Sequence, residues 1–257
     1  MAGVKRTRDG AVGILTLSEP ASLNAMTPEL LGALANAVDE MTQGADIRAL
    51  VLTGEGRGFC SGQNLKASEA LGEDIAAGVM RYYWPAFRAL RECRVPVVVA
   101  VNGVAAGGGF SLAMAGDIIV AARSASFIQV FSRIGLVPDL GSTWLLPRLI
   151  GRQRALELML LNEPLTAERA HGMGLVRQVV DDERLMEEAL VLAHRLAEGP
   201  TRALVATRAL LEESEHASYA EQFRREIEVQ AEIRRSADAI EGRMAFVEKR
   251  KTQFTGR

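Results

Sequence analysis

Apolar and polar positions along the chain follow two periods that take turns. Residues 12–17 (VGILTL) mix β-branched and apolar side chains and predict a strand ended by Ser18, Glu19 and Pro20. Thr27 and Pro28 suit the N-cap and first position of a helix with Leu30, Leu31, Leu34, Val38 and Met41 as its apolar face. A strand over 48–53, a helix over 79–94 and a wholly apolar strand over 97–101 come next. The polar, glycine-containing stretch 66–78 reads as mobile cover over the loop after Ser61. Strand 97–101 leads through Asn102-Gly103 and Gly107-Gly108-Gly109 into a short Ala/Leu/Met helix that ends before Asp117, itself followed by a strand. Helices are predicted over 141–149, where Pro147 should kink or end the helix, and over 152–161. A short capped turn begins at Thr166 and a last strand covers 176–180. Helices over 182–198, 200–214, 219–234 and 237–249 complete the chain, with Gly199-Pro200 as the boundary between a core of residues 1–198 and a helical region of residues 199–257. Strands alternating with helices predict an α/β fold.

Two of these strands run into glycine loops. One is Gly107-Gly108-Gly109; the other follows residues 49–53 and reads GEGRGFCSGQNL from Gly54 to Leu65. Glycine lets a backbone approach a ligand closely, and the start of a helix presents unpaired N–H groups and a positive dipole end. If the loops converge, two N–H groups can hold one negatively charged oxygen, an oxyanion hole. The alternative is that both are simply tight turns.

With 257 residues, 48% of them hydrophobic, the chain can bury one large core. A net charge of −2 gives no global basic field, so neither nucleic acid nor an anionic membrane is expected as a partner. No apolar run is long enough to span a bilayer and no signal-peptide core is present, so a cytoplasmic location is expected. Cys60 and Cys93 have neither metal-ligand nor disulfide-framework spacing, and Cys60 reads as a packing residue. No metal cluster or dinucleotide fingerprint is present, the glycine loop being AAGGGF.

GRGFCSGQNL at 56–65, followed by AVNGVAAGGGFSLAMAGDIIVAA at 100–122 and by FxxxFSRIGLVPD at 127–139, resembles the paired signature of the crotonase family, the enoyl-CoA hydratase/isomerase superfamily, over essentially the whole chain. The resemblance implies an α/β spiral of ββα turns with a C-terminal helical region that packs against neighbouring subunits, giving a homotrimer or a dimer of trimers. It implies an acyl-CoA thioester as substrate, with coenzyme A part of that substrate and no permanently bound cofactor. Residue by residue, it implies Ser61 and Gly108 as the backbone N–H donors to the thioester oxygen. Gln63, Asn64 and Leu65 would face the adenine and pantetheine, and Leu23, Asn24 and Ala25 would lie along the pantetheine and phosphates. This chain has Glu19, Pro20 and Ala21 where the family often carries a basic residue. Phe246 and Lys249 match tail positions that touch the adenine end, often from a neighbouring subunit; the alternative is Phe246 in the core and Lys249 in solvent.

The departures narrow the chemistry. Hydratases of the family use glutamates at the positions held here by Ser111 and, twenty residues on, Phe131, and neither side chain can activate water. Asp139 remains, matching the position that supplies a single carboxylate as proton shuttle in several isomerases and as nucleophile in aryl-CoA dehalogenases; the alternative is a plain helix N-cap. Ser111, Phe131 and Trp144 are placed on the acyl side, although packing explains the aromatics equally well. FSRIGLVPD and TWLLPR resemble most closely the branch that isomerises 1,2-epoxyphenylacetyl-CoA and also shifts double bonds in unsaturated acyl-CoAs. The rival readings within the family are a hydratase with a non-standard base, a dehalogenase and a non-catalytic CoA binder. Outside it stands a serine hydrolase, since Gly109-Phe110-Ser111-Leu112-Ala113 is one residue from a nucleophile elbow and would need one of His171, His194 or His216.

Overall fold

The computed structural model describes residues 3–65 and 70–257. The chain opens with an antiparallel hairpin of β1 (Gly3–Asp9) and β2 (Val12–Ser18), followed by α1 (Pro28–Thr42), whose N-cap Thr27 accepts the Leu30 N–H. Then each turn of chain lays one strand in each of two sheets before a helix returns it. β3 (Ala49–Gly54) and β4 (Gly58–Cys60) precede α2 (Ile75–Tyr82) and α3 (Trp84–Arg91). β5 (Val97–Val101) and β6 (Val104–Ala106) precede α4 (Gly108–Ala113). β7 (Ile118–Ala122) and β8 (Ser126–Ile128) precede α5 (Ser142–Ile150) and α6 (Arg152–Leu161). β9 (Leu165–Thr166), α7 (Ala167–Gly172) and β10 (Gln178–Val180) close the spiral, and α8 (Leu185–Ala197) packs across β3 and β5. The larger sheet runs β1-β2-β3-β5-β7-β10 and the smaller β4-β6-β8-β9.

The sequence explains the layering. β3 and β5 are buried at every position, as parallel strands covered on both faces require, and they are accordingly apolar but for Thr53, whose hydroxyl donates to Ala100 O at 2.8 Å. β2 alternates, keeping Leu15 and Leu17 inside. Asp117 ties the layers together: its carboxylate accepts the Val97 N–H at 2.8 Å and the Arg208 guanidinium at 3.0 Å.

The remaining helices are α9 (Thr201–Ser214), α10 (Tyr219–Ile233) and α11 (Ala237–Glu248). Arg48 fastens their root to the core by donating to Gly199 O at 2.5 Å, Thr201 Oγ1 at 3.2 Å and Phe254 O at 2.7 Å. No residue of α10 is buried, and Tyr219, Phe223 and Ile227 stand exposed along it.

The structure departs from the sequence reading at four places. β1 (GVKRTRD) is too charged to read as a strand and exists through its pairing with β2. The helix expected over 79–94 starts earlier, at Ile75, and breaks into α2 and α3 at Tyr83, because Pro85 has no N–H to continue the ladder. Of the stretch read as cover, residues 66–69 lie outside the described residues and residues 75–78 are helical. Pro147 does not end α5, which runs on to Ile150 and closes with the Gly151 N–H on Pro147 O at 2.9 Å.

One close approach seats α4 on the small sheet. A Cβ at Gly109 would be driven into the carbonyl of Cys60, on the neighbouring β4, and backbone cannot yield as a flexible side chain does. Gly109→Ala is expected to cost about 3 kcal/mol and to lower Tm by roughly 6–12 °C in a thermal melt. Gly172→Ala, where an added Cβ meets nothing, should melt with the parent.

Candidate active site

β4 and β6 pair in parallel, so the loops leaving them emerge side by side. Gly62, with φ +94°, lies so near the second loop that a Cβ on it would be 2.7 Å from Ala106 O and 3.5 Å from Gly108 N. The two glycine loops therefore converge. Residues 22–26 run alongside as a third rail: the Ser61 N–H donates to Leu23 O at 2.9 Å, the Ser61 hydroxyl to Ser22 O at 2.8 Å, the Met26 N–H to Gly62 O at 2.7 Å and the Asn64 N–H to Met26 O at 2.9 Å.

This pattern corrects one of the two expected donors. The Ser61 N–H is engaged by Leu23 and cannot also hold a ligand oxygen. Met26 bonds to the residues on either side of Gln63, which leaves the Gln63 N–H on the opposite edge, where it meets no acceptor among the described residues. The positive φ of Gly62 is the physical reason, since it turns the backbone over between Ser61 and Gln63. On the second loop, Gly108 opens α4 with Gly107 as an N-cap that offers no side-chain acceptor, so the first N–H of the helix has no partner within it.

The carboxylate comes from the segment before α5. Phe131 begins a 3-10 turn (Phe131–Ile134) and is buried, its ring about 3.8 Å from where a Cβ on Gly107 would stand. The chain then passes exposed Leu136 and Val137 to Asp139, whose carbonyl accepts the Ser142 N–H at 3.0 Å and the Ser111 hydroxyl at 3.2 Å. The next side chain, Leu140, reaches over Gly108: a Cβ there would lie 2.8 Å from Leu140 Cδ1. The N-cap of α5 is Gly141 and no side chain caps it, so Asp139 is not serving as a helix cap. Asp139 opens to solvent on one side, yet burial pushes its carboxyl above the ordinary carboxylate pKa, against a smaller opposing pull from its own backbone N–H.

Sequence reasoning missed Tyr83. It is buried at the break between α2 and α3, and its hydroxyl donates to Met26 O at 3.4 Å. Burial first, then the charge of Asp139, pushes its pKa up to about 12, so it stays a neutral donor. The available signal was an aromatic carrying a hydroxyl at a Pro-broken helix junction. Burial alone drives Cys60 up to about 12, which suits a packing residue.

Other expected residues divide. The Asn24 side chain is fully buried and bridges loops, accepting from the Glu19 N–H at 2.8 Å and donating to Glu55 O at 3.0 Å and Gly58 O at 2.8 Å, so it is not available to a ligand. Leu23, Ala25, Gln63 and Asn64 lie in the paired segment formed by residues 22–26 and the first glycine loop, and Leu65 follows it with its side chain exposed. Trp144 does not join Phe131. Its ring lies under Arg148, 4.2 Å from the guanidinium, with Arg91 at 5.9 Å, and it lines a separate cleft of about 640 Å³ against Leu204 and Leu211 of α9. Phe246 is 86% exposed and so is not core, while Lys249 caps α11 in a left-handed conformation. The hydrolase reading fails: the Ser111 hydroxyl donates to a carbonyl, His171 bonds Val176 O at 2.9 Å, His194 bonds Asp9 at 2.9 Å, and His216 is exposed in the turn after α9.

The family model described as enoyl-CoA hydratase/isomerase matches residues 7–257. The chain belongs to the enoyl-CoA hydratase/isomerase family. Within this family it is 45% identical to the 1,2-epoxyphenylacetyl-CoA isomerase of Escherichia coli, over 95% of this chain and 94% of that protein. It is 40% identical to a probable enoyl-CoA hydratase of Rhodobacter capsulatus, over 96% and 95%. Among solved structures, an enoyl-CoA hydratase from Polaromonas superposes with a TM-score of 0.92 at 35% identity, covering 98% of this chain and 99% of that one. The fold is thus that of the family, and the protein is a CoA-thioester-processing enzyme.

The raised pKa of Asp139 carries a stability consequence. The folded state holds its proton more tightly than the unfolded chain, so stability contributed at this site falls as pH rises from the ordinary carboxylate value through the folded one. Asp139→Asn should therefore raise Tm at pH 7, and the advantage should shrink as the pH is lowered through that window, as followed by melts across pH.

Proposed function

We propose that the protein is a CoA-thioester isomerase in which Asp139 shuttles a proton between carbons of the acyl chain while the Gln63 and Gly108 N–H groups hold the thioester oxygen. The observation that carries this reading is that the two hydratase glutamate positions hold buried Ser111 and Phe131, whereas the loop lying over Gly108 carries the carboxylate of Asp139. Removal of a proton from C2 or C4 moves negative charge onto the thioester oxygen, where fixed backbone dipoles stabilise the dienolate without reorganising. Returning the proton to the other carbon completes the isomerisation. A carboxylate held above its ordinary pKa is a stronger base once ionised, and as an acid it keeps the proton long enough to return it.

The substrates we assign are 3-enoyl-CoA esters, converted to 2-enoyl-CoA, and 1,2-epoxyphenylacetyl-CoA, with Phe131 against the acyl group. Coenzyme A then lies along the backbone of Leu23 and Ala25 and past Gln63, Asn64 and Leu65. Residues 199–257 serve as a subunit-contact region of a homotrimer or dimer of trimers in the cytoplasm, which accounts for exposed apolar side chains such as Phe223, Ile227 and Phe246 on its helices. Phe246 and Lys249 would then meet the adenine end of a neighbour's ligand. A hydratase with a non-standard base is the second reading, favoured by the name of the Rhodobacter capsulatus relative.

A 3-enoyl-CoA incubated with the protein in heavy water and followed by NMR separates the two. The expected result is a 2-enoyl ester with deuterium at C2 or C4, and a kcat lowered about 10²- to 10⁴-fold in Asp139→Asn with KM little changed. Accumulation of 3-hydroxyacyl-CoA, or a fully active Asp139→Asn, contradicts the isomerase assignment.

A further inference from the structure

We infer that Ser111 is a positioning residue that locks the Asp139 loop to the helix carrying the oxyanion donor. The inference rests on Asp139 as the base. Ser111 lies three residues after Gly108 on α4, so the two share a face one turn apart. Fully buried, Ser111 donates its hydroxyl proton to Asp139 O at 3.2 Å. The same carbonyl accepts the Ser142 N–H at 3.0 Å, and the Ser142 hydroxyl in turn accepts from Gln129 Nε2 at 2.8 Å, with both side chains fully buried. Gln129 follows Ile128, whose carbonyl accepts the Gly107 N–H at 2.8 Å. A closed ring of contacts thus runs from Gly107 through residues 128–129, Ser142 and Asp139 to Ser111 and back along α4.

The ring explains an otherwise unfavourable backbone. Leu140 has φ +51° and Gly141 φ +80°, two successive left-handed residues of which the first is not glycine. Such a turn persists only where its surroundings hold it. Ser111 and Ser142 grip the carbonyl just before it, and the Leu140 side chain rests on Gly108. One six-residue helix therefore sets both the oxyanion donor, at its first residue, and the base, through its fourth. A hydroxyl suits this position because it donates to a carbonyl without adding a second negative charge beside Asp139.

Loss of the hydroxyl should loosen the turn, misplace the carboxyl and admit water to it. For Ser111→Ala we expect kcat for 3-enoyl-CoA isomerisation to fall roughly 10- to 100-fold with KM within about two-fold. The acid limb of the kcat/KM profile should move to lower pH as the carboxyl returns toward its ordinary value. Ser111→Thr, which keeps the hydroxyl, should restore most of the rate. If Ser111→Ala does not fold, Ser111→Cys, close to serine in volume and a weak donor, replaces it in the same comparison. Parental kcat and an unmoved acid limb, or a loss carried wholly by KM, would overturn the inference. An inactive Asp139→Asn beside a fully active Ser111→Ala removes this inference alone, whereas an active Asp139→Asn removes the reading of the base on which it stands.

Discussion

The site depends on how closely β4 and β6 approach each other. Their parallel pairing delivers the Ser61-Gly62-Gln63 and Gly107-Gly108 loops to the same place, and α4 then packs so closely on β4 that no side chain fits at Gly109, opposite the Cys60 carbonyl. The parallel pairing fixes where both loops leave the sheet, and with it the separation of the Gln63 and Gly108 N–H groups. The third rail, residues 22–26, fills the other hydrogen-bonding edge of the first loop and so determines which N–H is left over. Donors fixed in this way need no rearrangement when charge develops on a ligand oxygen, which is the physical basis of the oxyanion role proposed for them.

Around these donors, burial leaves one useful acid. Tyr83 and Cys60 are held protonated, each pushed up to about 12, and they contribute packing and a neutral hydrogen bond. Asp139 is raised as well, but one side of it meets solvent and it can ionise. The negative field it adds is, after burial, among the causes that keep Tyr83 neutral. A family scaffold able to carry two carboxylates here carries one, with a hydroxyl from Ser111 bonded to its loop.

Much of this was legible in the residues. Fully apolar runs such as VVVAV mark buried parallel strands, and the glycine loops are visible as punctuation. The absence of glutamate at 111 and 131 is likewise plain in the sequence. What escaped depends on tertiary context. Charged β1 becomes a strand only by pairing with β2. The Ser61 N–H turns to Leu23 because Gly62 adopts a positive φ, which the sequence permits but does not require. Trp144 follows the phase of α5, and the two arginines that flank its ring come from different helices, α3 and α5 itself, so no local pattern announces them. Tyr83 approaches Met26 across 57 residues of chain, beyond the reach of any periodicity.

The most direct test of the convergent-loop site is a crystal structure of the Asp139→Asn variant with a bound 3-enoyl-CoA. The account predicts the thioester oxygen about 2.7–3.1 Å from the N–H groups of both Gln63 and Gly108, with C2 and C4 facing the side chain at position 139. A thioester oxygen held by the Ser61 N–H, or lying beyond hydrogen-bond reach of either Gln63 or Gly108, would contradict it.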